Sequence, residues 1–279
     1  MSTKTPSEPD RITESISRCL TEGFAAALVT LMEAPAELGA LPIGAKLLVT
    51  DSGETVGGLG DSELDKAAAQ HISDFLKTRD EAKMLKVEEF ASEPQDFRGV
   101  SVLFERIEAE PRLVIAGAGH VGAALARLAA LCGYRVTLID DRAEFVGREL
   151  FASPSEQSIG LVLAESWSDA MRAAIGNGRG VSVAIVTRGH KQDEDCLRST
   201  IAATPDYVGM IGSKRRTNIV LEKLREEGAD DAALKKVRAP IGLDIGAVSP
   251  EEVALAILAE IVGVRRGGTG APLSSWRRA

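Results

Sequence analysis

Residues 113–122 read Leu-Val-Ile-Ala-Gly-Ala-Gly-His-Val-Gly, and this stretch decides the fold. Four apolar residues predict a buried strand. Gly117-Ala118-Gly119-His120-Val121-Gly122 is the glycine-spaced turn by which such a strand enters a helix. The first glycine permits the tight turn, the second lets backbone approach a phosphate, and the third lets helix and strand pack closely. The Ala/Leu-rich run His120–Cys132 predicts the helix, Arg135–Ile139 the next strand, and Asp140-Asp141 follows it. An acid at that point can accept hydrogen bonds from a ribose 2′-hydroxyl. Strand, glycine turn, helix, strand and acid together predict a Rossmann-type unit.

Working outward, the alternation continues downstream. Strands are predicted at Leu161–Ala164, Val181–Val186 and Tyr207–Ile211. Helices are predicted over 168–175, 192–203, Lys214–Glu227 and Val253–Val262. Such alternation gives an α/β fold with a parallel doubly wound sheet. Upstream, residues 11–109 lack it. They predict a helix at Ile12–Leu20 and strands at Phe24–Leu31 and Lys46–Thr50, with a turn at Asp51-Ser52-Gly53 leading to Thr55–Val56. A helix over 63–77 capped by Asp61 or Ser62 follows, then strands at Met84–Phe90 and Val100–Ile107. The expected organisation is a smaller N-terminal α+β domain (1–109), a Rossmann-like domain (110–265) and a tail (266–279).

Composition bounds the function. Aromatic residues are only 4% of the 279, so the cores must rest on Ala, Val, Leu and Ile. The net charge is −8, and the stretch from Arg265 onward carries four arginines and no acid, which leaves the rest more acidic still. That disfavours nucleic acid as a partner. No apolar run reaches the roughly 20 residues of a membrane span. The polar start MSTKTPSEPD lacks the apolar core of a secretion signal. Three widely spaced cysteines (19, 132, 196) form neither a disulfide framework nor a zinc motif, so no metal ligands are assigned and a cytoplasmic location is expected. Cys132 is expected in the core, Cys196 in ordinary helix packing, and His71 on a solvated helix face.

Three further segments fall at the same predicted sheet edge or beside it. Thr187-Arg188-Gly189-His190, followed by Asp193, ends a strand, so Arg188, His190 and Asp193 are candidate ligand contacts. Gly209-Met210-Ile211-Gly212-Ser213-Lys214-Arg215-Arg216 places three cations at a helix start, where they oppose the helix dipole unless an anion is present. Ser213, Lys214 and Arg215 are therefore a candidate phosphate subsite. Ala239–Ala247 is glycine-rich and carries Asp244, a candidate crevice residue, and Ser249-Pro250-Glu251-Glu252 is a capping box. His120 reads either as a ligand-facing donor or as a local backbone cap. With Gly117, Gly119, Gly122, Asp140 and Asp141, these residues make up the candidate cofactor site; none is assigned as catalytic.

Taken together, GAGHVG at 117–122, DDR at 140–142, TRGHKQD at 187–193, YVGMIGSKRR at 207–216 and PIGLDIGAVSPEEVA at 240–254 resemble the xanthine dehydrogenase accessory proteins of the XdhC/CoxI family. PIGAKLLVTDSGETVGG at 42–58 resembles the family's first segment. The resemblance implies a chaperone that holds molybdenum cofactor (molybdopterin) as cargo and delivers it to a molybdenum hydroxylase. It implies a cysteine desulfurase as a further partner and a maturation factor rather than an enzyme; a homodimer is compatible with the sequence, which does not name the oligomeric state. One segment departs from the family. Many members carry Gly-Gly-Cys-Xaa-Glu, whereas this chain has Gly58-Leu59-Gly60-Asp61-Ser62-Glu63-Leu64-Asp65, with Glu63 in the place of the cysteine. A carboxylate cannot carry a persulfide. Two alternatives on the same scaffold are an NAD(P)-dependent oxidoreductase and a nucleotide-sensing module. With tyrosines only at 134 and 207, no Tyr/Lys acid pair supports hydride transfer.

Overall fold

The computed structural model describes residues 7–38, 41–78, 80–91 and 97–274. It divides into two compact units, Met1–Ala109 and Glu110–Ala279.

The N-terminal unit is built on an antiparallel sheet. Strands β1 (Ala26–Glu33), β2 (Lys46–Thr50), β3 (Thr55–Gly57), β4 (Ala82–Lys86) and β5 (Ser101–Ile107) lie in the order β3-β2-β1-β5-β4. Alternation along the strands decides what each face meets. Leu47 and Val49 join a core with Leu64, Ala68, Ile72 and Phe75 of helix α2 (Ser62–Lys77). Leu48 faces the other way, in a cluster with Cys19 of helix α1 (Glu8–Glu22). Asp61 caps α2, accepting hydrogen bonds from the amides of Glu63 and Leu64. Two expectations need correction. The segment Met84–Phe90 is not one strand, because the ladder ends at Lys86 and Val87–Glu89 form a 3₁₀ turn. His71 is half-buried beside the Phe90 and Phe104 rings, with centroids 5.0 and 5.3 Å away, and burial lowers its pKa.

The C-terminal unit is a parallel sheet of β6 (Arg112–Ala116), β7 (Arg135–Asp140), β8 (Gly160–Leu163), β9 (Val181–Ile185) and β10 (Tyr207–Met210). The order is β10-β9-β6-β7-β8, so the strand sequence reverses direction between β6 and β9. The central strands β6 and β9 are buried on both sides because both faces are covered. Leu113 and Ile115 enter a core with α3 (His120–Leu131) and α8 (Pro250–Arg266). Val114 and Ala116 enter the opposite core, with α4 (Trp167–Ile175), α5 (His190–Ala203) and α6 (Lys214–Glu226). This is the doubly wound arrangement that the alternation predicts. The short helix α7 (Asp231–Lys236) has no counterpart in the sequence reading, and α8 extends beyond the expected Val253–Val262 at both ends. Cys132 is exposed, which corrects its expected core position: it is the residue after α3, where the chain turns out through Gly133. Cys196 is buried, as expected.

Candidate functional site

Register puts the candidate residues on one edge. Ala116 is level with Ile139 on β7 and with Ile185 on β9, and Ile185 is level with Met210 on β10. The turns at 117–119, 140–142, 186–190 and 211–213 therefore leave the sheet side by side, at the carboxyl ends of its strands. Ligands of open α/β sheets bind at that edge, where the strand order reverses. A small cleft opens there, lined by Gly117, Gly119, Asp140–Arg142, Trp167, Val186–Arg188 and Gln192.

The three glycines of the turn serve different ends. Gly117 has φ +110°, and a Cβ there would lie 2.6 Å from the Val186 carbonyl oxygen. A Cβ on Gly122 would lie 1.8 Å from the Gly117 oxygen. Both are demanded by close packing of turn, helix and neighbouring strand. Gly119 has an ordinary extended conformation, φ −63° and ψ −173°, and nothing lies within 4 Å of its absent Cβ. No packing contact within 4 Å requires glycine at 119.

Asp140 closes the turn from β7. Its buried carboxylate accepts hydrogen bonds from the Ala118 amide (2.7 Å), the Arg142 amide (3.0 Å), and Arg142 Nε and Nη2 (2.8 and 3.0 Å). Burial pushes this carboxyl up, but the bonds from Arg142 and Ala118 outweigh it, and its pKa lies below the ordinary value. Arg142 in turn stacks on Phe145, 3.8 Å from the ring centroid. Asp141 faces the cleft from the same turn, with Arg188 Nη2 3.7 Å from its Oδ2, so an ion pair joins the ends of β7 and β9 across β6. Arg188 is 56% exposed at its side chain and has capacity left for an anion.

Asp193 is fully buried. Thr187 Oγ1 donates to its Oδ1 at 2.5 Å, and Arg216 Nε donates to its Oδ2 at 3.0 Å. Burial raises the Asp193 carboxyl against the pull of both partners. Of the three cations at the start of α6, the structure thus turns Arg216 inward, while Lys214 and Arg215 are exposed and Ser213 caps the helix. His120 and His190 are the exposed first residues of α3 and α5, and Asp244 is exposed on the loop before α8. Among the described residues, the cleft lining does not include His120, His190, Lys214, Arg215 or Asp244. Sequence reasoning missed Trp167, which lines the cleft as the first residue of α4. The signal was a lone aromatic directly after the third strand of the Rossmann unit.

Residues 113–261 match the XdhC Rossmann domain, and residues 19–88 match the XdhC and CoxI family. The chain belongs to the XdhC/CoxI family. It is 30% identical over 230 residues to the uncharacterized protein YqeB of Escherichia coli, covering 81% of this chain and 41% of the relative. It is 27% identical over 166 residues to a probable xanthine dehydrogenase subunit of Bacillus subtilis, 60% and 46% of the two chains. A stretch of 69 residues is 36% identical to the molybdenum cofactor insertion chaperone PaoD of E. coli, 25% and 22% of the two chains. The aligned stretches thus span less than half the length of each of these relatives. Among solved structures, the fold matches one described as a xanthine dehydrogenase from Bacillus halodurans, with a TM-score of 0.64, 18% identity, and coverage of 98% of this chain and 70% of that one.

In the N-terminal unit, Gly58, Gly60, Asp61 and Asp65 line a wider groove of about 1040 Å³ that runs along α1. Asp65 Oδ1 accepts a hydrogen bond of 2.6 Å from the Leu59 amide and so fixes the loop. Glu63 is exposed on the first turn of α2, with Lys66 Nζ 3.9 Å away. No helix among the described residues is long and apolar enough to cross a membrane, and no cluster of three His, Cys, Asp or Glu side chains there could hold a metal ion.

Proposed function

We propose that this protein binds molybdenum cofactor in the C-terminal cleft and delivers it to a xanthine dehydrogenase-type molybdenum hydroxylase, as a chaperone rather than a catalyst. Family membership and the PaoD relative support the cargo and the role. The observation that carries the cleft is Gly119, the one glycine of its turn with no internal demand for glycine. In this reading Gly117, Gly119 and Gly122 bring the phosphate of the pterin cofactor to the first amides of α3. Asp141 and Arg188 contact the ligand from the two sides of the reversal point. His120 and His190 supply donors at the rim, and Asp244 supplies an acceptor from the loop before α8. Ser213, Lys214 and Arg215 form a separate anion subsite that serves a second phosphate. Asp140 and Asp193 act through the residues they hold in place. A cysteine desulfurase enters only as a partner acting on bound cofactor, since Glu63 cannot carry sulfur.

The oxidoreductase alternative is less favoured because the tyrosines stand only at 134 and 207, so no Tyr/Lys acid pair supports hydride transfer. The test is purification from cells that make molybdenum cofactor, then acid oxidation and fluorescence of the released pterin. Stoichiometric pterin supports the chaperone. A pterin-free protein whose fluorescence is quenched by NADH supports the alternative.

A further inference from the structure

The cleft reaches from Gly119 to Trp167, and Trp167 is unusual in it. The side chain is half-buried at the start of α4, with Ser166 capping the helix beside it. Its indole Nε1 is buried and has no hydrogen-bond partner. A buried N–H without an acceptor costs stability, so such a group calls for a reason. Around it, the cleft offers Asp141, Arg142, Arg188 and Gln192. At the Gly119 end it offers open space beside a helix N-terminus. One end suits a phosphate, and the other presents an aromatic side chain beside Gln192 and the largely exposed Arg188. A ligand that satisfies both carries a planar nitrogen heterocycle a few bonds from its phosphate.

We propose that Trp167 is the recognition residue for that heterocycle: the indole packs against the ring, and Nε1–H gains an acceptor when the ligand is bound. Asp141 then lies where hydroxyls between ring and phosphate pass, and Arg188 exchanges part of its contact with Asp141 for the phosphate. This inference rests on the reading that the C-terminal cleft is the ligand site, and it extends that reading to the chemistry of the ring. Two sources share the chemistry, a nucleoside phosphate and a pterin.

The test uses the full chain carrying Trp276→Phe, which leaves Trp167 as its only tryptophan. Its fluorescence is followed while AMP, GMP, CMP, neopterin, ribose 5-phosphate or inorganic phosphate is added. Saturable quenching by one or more nucleotides, or energy transfer to neopterin, is expected; the phosphates without a ring leave the emission unchanged. A nucleotide response identifies a nucleoside as the source, and a neopterin response a pterin. In equilibrium dialysis of the responding compound, Trp167→Leu is expected to lose about tenfold or more in affinity, the scale of ring stacking on an aromatic side chain. Trp167→Phe keeps the stacking surface, lacks the donor, and is expected to fall between. Circular dichroism confirms that both variants are folded. Equal effects of ribose 5-phosphate and the nucleotides, no response to any ring compound, or undiminished binding by folded Trp167→Leu overturns the proposal. Co-purified pterin together with undiminished binding by Trp167→Leu removes this inference and leaves the chaperone. Quenching by GMP in a chain that never carries pterin removes the chaperone and leaves the subsite.

Discussion

The Asp140 carboxylate at the end of β7 holds the Ala118 amide of the glycine turn at 2.7 Å, so one buried side chain ties the second strand of the unit to the ligand-facing loop of the first. The same carboxylate holds Arg142, which also lines the cleft. The site is thus arranged by a charge that the ligand need not touch.

Removing that charge is expected to weaken the fold in a pH-dependent way. Asp140→Asn should lower stability at pH 7 by about 2–3 kcal/mol, since it leaves the partly buried Arg142 with only its longer contact to Asp141, 3.8 Å away. Asp140 has a folded pKa below its ordinary 3.8. Its contribution is therefore complete above about pH 4 and is lost as pH falls through the lowered folded value. Urea denaturation of wild type and variant at pH 7 and pH 3.5 checks this. The difference between them should shrink at the lower pH.

The glycines of the turn should separate folding from binding. Gly122→Ala drives a methyl group into the Gly117 carbonyl and should destabilise the chain by several kcal/mol or prevent folding. Gly119→Val faces open space and should leave the thermal midpoint within about 2 °C of wild type while abolishing ligand binding. Thermal circular dichroism and cofactor binding on the same preparations distinguish the two.

The cations of α6 should likewise divide. Arg216→Met strands the fully buried Asp193 and should cost about 3 kcal/mol of stability. Lys214 and Arg215 are exposed, so replacing both with methionine should leave stability within about 0.5 kcal/mol. If they serve an anion subsite, the double variant should bind cofactor at least about tenfold more weakly, with a flatter dependence on salt. Chemical denaturation gives the first comparison, and titration at two salt concentrations gives the second.

Thiol chemistry should follow exposure. Cys132 is exposed, Cys19 and Cys196 are buried, and burial pushes both buried thiols up in pKa. Ellman's reagent should titrate one thiol in the native protein and three in urea, and Cys132→Ser should remove the native reaction without changing cofactor binding.

Much of this was legible from residues 113–140, because a buried parallel strand, a glycine turn and an amphipathic helix each leave a local pattern. The Asp193–Arg216 contact left none. The two residues are 23 positions apart on adjacent helices, and nothing local distinguishes Arg216 from Lys214 and Arg215. Cys132 was misjudged because an Ala/Leu-rich run shows where a helix lies and not where its last turn leaves the core. His71 was misjudged because its surroundings come from Phe90 and Phe104, on segments distant in the chain. Trp167 became visible only when the fold placed the residue after β8 in one cleft with the glycine turn after β6.

The most direct test of the central claim is the pterin content of wild type and Gly119→Val, each purified from cells that make molybdenum cofactor and each confirmed folded. The account predicts pterin near one equivalent per wild-type chain and almost none on the variant. Equal pterin on both proteins would contradict it by removing the cleft at Gly119 as the site, and no pterin on either would remove the chaperone role itself.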